Sequence, residues 1–352
     1  MRTILPISIV VLLLALLLPL ILVSGPAPLA PADEALDKPP AESEPGPPMP
    51  DTSDTVEPST PLQDEAFILQ VLLGDEVHAM SMAEFLLGVV AAEMPARFHP
   101  EALRAQAVAA RTYTLHRMSE FPAARHPGAY VCGSYACCKA FHSPERLRVR
   151  WGDRFDYYSA IIADAVRATD GVILLYGGEP ILAAFHAASY EYTEASGSIW
   201  GSLPYLQSVR TFEGEADVPR FYASVEMSFS QFRDAVRGTF PGAVLHDDNI
   251  PYWITEQRYT DAGRLDSLNI GGVTVTGPQF RRLFGLRSTA VRFAFDAQGL
   301  TITTGGHGHG VGMSQFGANA MAELGHTYEE ILRWYYTNVT IGRMDSPVAN
   351  LS

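Results

Sequence analysis

Glu93 is the residue in this chain whose setting asks for chemistry. In the run EFLLGVVAAEMP it falls four residues after Val89 and eight after Phe85, so in a helix it shares their apolar face. Burying an unpaired carboxylate is costly, and its usual consequence is a raised pKa. A carboxyl group kept protonated in this way can give its proton to a leaving oxygen. A partly exposed glutamate near a helix end, paired with Arg97 or Arg111, would show the same spacing, so spacing alone leaves both readings open. A second group of candidates is His126, Cys132, Cys137 and Cys138, one imidazole and three sulfurs that make a tetrahedral zinc set. The group lacks a Cys-x-x-Cys knuckle, and a Cys132–Cys138 bridge or buried free thiols fit the spacing as well. Three cysteines in an exported chain cannot all pair within one molecule. A zinc held by four protein ligands has no open position for water, so it would be a structural clasp and not a cofactor for catalysis.

The elements that must position Glu93 are two helices meeting at a corner. Ser81 with Glu84 three residues on is a capping box, and Met82, Phe85, Leu86, Val89 and Val90 recur at helical spacing. Pro95 ends that helix, and Pro100 with Glu101 beside it starts the next. Around the corner the pattern predicts two strands about Gly74–Asp75, a loop from His126 to His142 and a helix over 156–170 closed by Gly171. It also predicts a hairpin turning at Gly177–Gly178 and a helix over 228–238. Four strand-like runs follow, YWITEQRY, SLNIGGVTVTG, AVRFAFD and LTITT. The chain closes with a glycine-rich loop, GGHGHGVG, leading into one or two helices. Helices and strands interleave without strict βαβ alternation. The fold class is therefore α+β, mixed helices and antiparallel strands in one catalytic body that could form two lobes around a cleft. The glycine-rich loop fits neither Gly-x-Gly-x-x-Gly nor a P-loop, which sets nucleotide binding aside.

The ends of the chain read differently. Residues Ile4–Val23 are twenty residues without a charge, long enough to span a bilayer, and Arg2 precedes them. This predicts a transmembrane anchor over 1–23, a single pass in the cell membrane with the body extracytoplasmic. A cleaved signal, with small residues at Ser24, Gly25 and Ala27, is the alternative. Residues 24–66 read as a disordered Pro/Glu-rich linker, 67–343 as the body and 344–352 as a tail. Of 39 acidic against 25 basic residues, ten acids and a single lysine fall in the linker, so most of the net charge of −14 lies there. No basic cluster offers itself to nucleic acid.

The run GVVAAEMPARFHPEALRAQAVAARTY resembles the core of the stage II sporulation protein D family, peptidoglycan lytic transglycosylases of endospore-forming bacteria. The resemblance continues over roughly 67–343 through GRLDSLNIGG, GPQFRRLFGLRST and GHGVGMSQFGANAMA in the family's order. It implies that Glu93 is the catalytic acid, and that Arg104 and Arg111 contact the lactyl or acyl oxygens of the sugar. His309 and Gln315 would be polar contacts in the glycine-rich loop. Where the family shows Phe-His-Ser-Thr-Ser-Gly-Gly-x-Thr-Glu, this chain keeps Ser189, Thr193 and Glu194. Ala187 and Ala188 replace two hydroxyls and two glycines are lost, with Tyr190 placed to stack on sugar in compensation; His307 stands where the family has Trp. Relatives often keep cysteines at the positions of Cys132 and Cys138, and some bind zinc through this loop. Cys137 falls where a His is common.

Glycoside hydrolases normally need two carboxyls. The family implies a route for which one suffices. Glu93 would protonate the oxygen between N-acetylmuramic acid and N-acetylglucosamine, then take a proton from the muramyl 6-hydroxyl as a 1,6-anhydro ring closes. The implied partners are peptidoglycan glycan strands, an amidase like stage II sporulation protein P and a membrane protein like stage II sporulation protein M, during engulfment. The same body also resembles amidase enhancer proteins, and a non-catalytic glycan-binding enhancer of a cell-wall amidase is the alternative. No His-Glu-x-x-His or Gly-x-Ser-x-Gly points to another hydrolase.

Overall fold

The computed structural model describes residues 62–120 and 126–344. The predicted anchor, most of the linker and most of the tail lie outside the described residues. Among the described residues no helix is long and apolar enough to cross a membrane. In chain order the elements are α1 (Gln63–Ala66), β1 (Ile68–Leu73), β2 (Glu76–Ser81), α2 (Met82–Glu93), α3 (Pro100–Glu120), β3 (Val131–Cys132), α4 (Pro144–Trp151), α5 (Phe155–Ala168), β4 (Val172–Tyr176), β5 (Glu179–Pro180) and β6 (Phe185–His186). They continue as β7 (Tyr222–Ser228), α6 (Phe229–Thr239), β8 (Ile254–Tyr259), β9 (Leu265–Ile270), β10 (Val273–Thr276), α7 (Gly277–Leu283), β11 (Val291–Phe295), β12 (Gly299–Gly305), β13 (Met313–Ser314), α8 (Gln315–Glu323), α9 (Tyr328–Tyr335) and β14 (Thr340–Arg343).

The architecture is α+β. Antiparallel pairing dominates, in β1–β2, β14–β4–β5, β10–β9–β8 and β11–β12–β7. Two short parallel pairings depart from the predicted pattern, and both serve the site. Leu72 pairs with Cys132 through β1 and β3, pinning the cysteine loop to the first hairpin. His186 pairs with Ser314 through β6 and β13, joining the end of the glycine-rich loop to the segment before Ser189. Each contains two residue pairs, too short for a periodicity to show in sequence.

The corner forms for the reasons its sequence suggests. The Ser81 hydroxyl accepts from the Glu84 N–H at 3.1 Å, and the Ser81 N–H donates back to the Glu84 carboxylate at 3.3 Å. At the other end of α2, Met94 is extended, the conformation that a following proline imposes. Met82, Phe85, Leu86, Val89 and Val90 are all buried. Full burial of each such side chain contributes roughly 1.5–3 kcal/mol. Gly88 lets α2 lie directly against the cysteine loop, since a Cβ there would sit 2.3 Å from the Phe141 ring.

The buried apolar residues fall into two main clusters. The larger gathers α2, α3, α5, β4 and the last helices, and the smaller is built from β7 to β12 with α6 and α7. The folded body starts before residue 67 and reaches Met344, so four residues assigned to the linker and one assigned to the tail belong to it. Asp64 is buried against Arg111, the Gln63 and Asp64 N–H groups both donate to the Asp170 carboxylate, and the Met344 N–H donates to the Gly171 carbonyl. Capping of a four-residue helix by a side chain more than one hundred positions away leaves no local sequence signal.

Candidate active site

Glu93 is the last residue of α2 and is half-buried. One carboxylate oxygen accepts from the Ala140 N–H at 3.3 Å, and the other lies 3.5 Å from the Gln315 side-chain amide. The Gln315 amide also reaches the buried Gln106 of α3 at 3.4 Å. Three segments therefore meet at this carboxylate, the end of α2, the cysteine loop and the start of α8, and Gln315 carries the contact on to the middle of α3.

Beside Ala140, the Lys139 ammonium lies 3.5 Å over the Phe185 ring and 4.3 Å over the Tyr113 ring. Burial lowers its pKa to about 8, and the nearby charge of Glu93 acts against that loss. Aromatic faces attract a cation that water no longer surrounds, which is how this ammonium is tolerated.

His186 and His309 lie side by side, with ring centres 5.6 Å apart and planes tilted by 53°. One peptide unit orients both. The Val311 N–H donates to His309 Nδ1 at 3.1 Å, while His186 Nδ1 lies 3.2 Å from the Val311 carbonyl, a contact made only by a protonated Nδ1. These partners assign opposite tautomers to the two rings. Burial, followed by the charges of Lys139, Arg281 and Arg264, pushes His309 down to about 3. Burial also holds His186 well below its ordinary value. Both rings are neutral. The half-exposed indole of Trp200 meets His309 edge-on at 5.1 Å, giving the site an aromatic face open to solvent.

The glycine-rich loop closes tightly over this pair. Gly306, Gly308, Gly310 and Gly312 all have positive φ, a region other residues rarely adopt. A Cβ at Gly312 would fall 2.0 Å from the Ala184 carbonyl, and one at Gly310 would fall 2.4 Å from the guanidinium of the buried Arg264.

Of the predicted contacts, Gln315 is brought to Glu93, and His309 lies beside His186 and Trp200. Arg104 is partly exposed and reaches Glu101 at 2.5 Å, on the helix that carries Gln106. Arg111 is not placed to touch a sugar. It has no exposed surface, and its guanidinium donates to both oxygens of Asp64 and to the Val172 carbonyl. Ser189 is likewise fully buried, donating to His186 Nε2 at 2.6 Å, while its N–H donates to Glu213. It shapes the site from beneath and does not reach a ligand. Tyr190 is half-buried, packed beside Phe221 and Tyr222, and its hydroxyl accepts from Arg292 at 2.9 Å. Sequence reasoning missed Lys139, Trp200 and Gln106. The signal for Lys139 was its place directly after Cys137 and Cys138; Gln106 lies inside the resembling run.

His126, Cys132, Cys137 and Cys138 converge, with their ligand atoms all within 4.8 Å of one another. Cys137 Sγ lies 3.3 Å and Cys138 Sγ 3.9 Å from His126 Nε2. Zinc bonds of about 2.3 Å to sulfur and 2.0 Å to nitrogen place tetrahedral ligands at such separations, so the donor set fits that ion. All three cysteines are free thiols here. Burial and the neighbouring sulfurs push the Cys138 thiol up to about 12, a cost that a bound cation would remove by holding thiolates.

An acid at a helical corner, roofed by a glycine-rich loop and flanked by a cysteine clasp, is the arrangement of a class that comparison identifies. The family model described as Stage II sporulation protein matches residues 74–176, which include Glu93, the cysteine loop and Lys139. Stage II sporulation protein D of Bacillus subtilis (strain 168) is 34% identical over 271 residues, covering 77% of both chains. Its counterpart in Bacillus amyloliquefaciens is 35% identical over 271 residues, covering 77% of this chain and 76% of that one. The Amidase enhancer of Bacillus subtilis (strain 168) is 27% identical over 303 residues, covering 73% of this chain and 40% of its own. The chain belongs to the stage II sporulation protein D family.

Proposed function

We propose that this protein is a peptidoglycan lytic transglycosylase of sporulation, with Glu93 as its only acid–base group. The observation that carries the reading is the seat of Glu93. It is a half-buried carboxyl where the end of α2, the cysteine loop and the start of α8 meet, held by the Ala140 N–H and next to the amide of Gln315. Glu93 gives its proton to the oxygen linking N-acetylmuramic acid to N-acetylglucosamine, and the bond from that oxygen to the muramyl C1 breaks. The muramyl O6 then forms its bond to C1 while its hydrogen passes to Glu93, which restores the acid and leaves a 1,6-anhydro end. The half-exposed Trp200 face, edge-on to His309, supports a stacked sugar. Gln315 supports contact with a substrate hydroxyl or amide. Residues 4–23 tether the body to the cell membrane, and a cell-wall amidase is its working partner.

The test is digestion of purified peptidoglycan by the isolated protein, read by mass spectrometry of the glycan fragments. Anhydro-muropeptides from the native protein and none from Glu93→Gln are the expected result. Anhydro ends from the Glu93→Gln variant would refute the assignment. The relationship to the amidase enhancer supports a second reading, a glycan-gripping body that stimulates an amidase. No cleavage by the native protein alone, together with stimulation of a cell-wall amidase, would establish it. Zinc at His126, Cys132, Cys137 and Cys138 is part of the same proposal, as a clasp. Metal analysis should give one zinc per chain, and markedly less in Cys138→Ser.

A further inference from the structure

Glu213 is a buried carboxyl that takes no part in the proton transfer, yet it ties together the segments that carry the site. One of its oxygens accepts from the Ser189 N–H at 2.7 Å and from the Ser314 hydroxyl. The other accepts from the Thr211 hydroxyl, which lies 3.3 Å from the Tyr335 hydroxyl of α9. Glu213 keeps 6% of its surface exposed, too little to touch a sugar. Its work must be done through its neighbours.

Ser314 is the N-cap of α8. Its hydroxyl oxygen accepts from the Gly317 N–H at 3.4 Å, so the group that Glu213 orients is the one that starts the helix. Gly317 brings the first turn of α8 down onto the carboxyl, since a Cβ there would collide with Glu213 Oε2 and with the Tyr335 hydroxyl. Negative charge at this end of a helix is favoured by the helix dipole. The first residue of α8 is Gln315, whose side-chain amide lies 3.5 Å from Glu93. We propose that Glu213 is a positioning residue for the acid site. It sets the first turn of α8 so that the Gln315 amide meets the carboxylate that Glu93 becomes once its proton has gone to the leaving sugar. This rests on Glu93 being the acid.

An amide N–H donates more strongly to a carboxylate than to a carboxylic acid. The Gln315 contact therefore gains strength as the proton leaves Glu93 and lowers the cost of the charged interval. Its geometry has to be held, because the same amide also lies 3.4 Å from Gln106 and has a second place to point. The Ser189 N–H on the same Glu213 oxygen brings the segment after β6 under the same control, and the Ser189 hydroxyl donates to His186 Nε2 at 2.6 Å. One carboxyl thus braces, from behind, both sides of the pairing between β6 and β13.

The experiment is the steady-state kinetics of anhydro-muropeptide release by native protein, Glu213→Gln, Glu213→Ala, Ser314→Ala and Gln315→Ala. Glu213→Ala and Ser314→Ala are each also combined with Gln315→Ala, and every variant is assayed at a temperature where its melt shows it folded. A contact made only on the way to the transition state lowers kcat when it is lost and leaves KM alone, so Gln315→Ala and Glu213→Ala should each lower kcat about tenfold with KM within about twofold. Because Glu213 acts through Gln315, the combination of the two should fall within about twofold of Gln315→Ala alone. Glu213→Gln keeps an acceptor for the Ser189 N–H and should hold kcat within about threefold of native. Ser314→Ala should lose less than Glu213→Ala, with its loss likewise absorbed by Gln315→Ala, and it decides the matter if Glu213→Ala does not fold. Losses that multiply in the combined variants, to about a hundredfold for Glu213→Ala with Gln315→Ala, would overturn the role of Glu213 and leave Glu93 as the acid. Native kcat in Glu213→Ala would do the same. Cleavage by Glu93→Gln, or none by the native protein, would remove the reading on which the role stands and the role with it.

Discussion

Two carboxyl groups in contrasting settings lie close to α3, Asp64 on α1 and Glu93 at the end of α2. Asp64 meets Arg111 with both oxygens engaged and essentially no surface left to water. Glu93 lies at the corner, half-buried, with one oxygen on the Ala140 N–H and the other near the Gln315 amide. The helix α3 contributes to both, through Arg111 directly in one and through Gln106, by way of Gln315, in the other. The first pair ties the start of the folded body to the helix and to the strand at Val172. The second sits where Trp200 still reaches solvent. The difference teaches that access, more than pairing, separates a structural acid from one that can work on a substrate. It also shows that an arginine inside a recognisable run can be a pin and not a contact.

The comparison is broken most sharply at Glu93 itself. Glu93→Gln should lower the rate of anhydro-end release on the order of 10²–10⁴-fold while leaving the denaturant midpoint unchanged. A large loss of stability would make Glu93 structural, like Asp64. Arg111→Ala should do the reverse. Leaving Asp64 buried without its partner should cost on the order of 3–5 kcal/mol in urea unfolding. The double variant Asp64→Asn with Arg111→Met should lose less than Arg111→Ala, because it strands no charge. The smallest effect concerns pH. The folded-state pKa of His309 is lowered to about 3, below its unfolded value near 6.5, so its contribution is present above pH 6.5 and is lost as pH falls toward 3. Thermal melts from pH 7 to 4 should show a slope of at most about 1.4 kcal/mol per pH unit from this group, reduced in His309→Gln.

Local rules carried much of the fold. The Ser81 box, the proline boundaries of α2 and α3, the turn at Gly177–Gly178 and the Ser228-capped helix follow from neighbours a few residues apart. The run SLNIGGVTVTG resolves into a hairpin, with Gly271 and Gly272 as its turn. The convergence of His126 with the three cysteines could be read from one loop. The partner of Arg111 could not be, because Asp64 lies 47 residues away in a stretch whose composition resembles a linker. The burial of Ser189 was also invisible, since it depends on Glu213 and on the parallel pairing of His186 with Ser314. Lys139 was hidden for a related reason, as its two rings come from positions 113 and 185.

The Val311 peptide has one more consequence. A proton wire needs links that take up hydrogen at one end and release it at the other. His186 is bound at both nitrogens, to Val311 and to Ser189, while His309 is bound to Val311 at one and drawn to the Phe185 carbonyl through its ring N–H. Each ring has a peptide group as one partner, and a peptide neither takes up nor gives up a proton near neutral pH, so the Val311 unit locks the two tautomers and forms no wire between them.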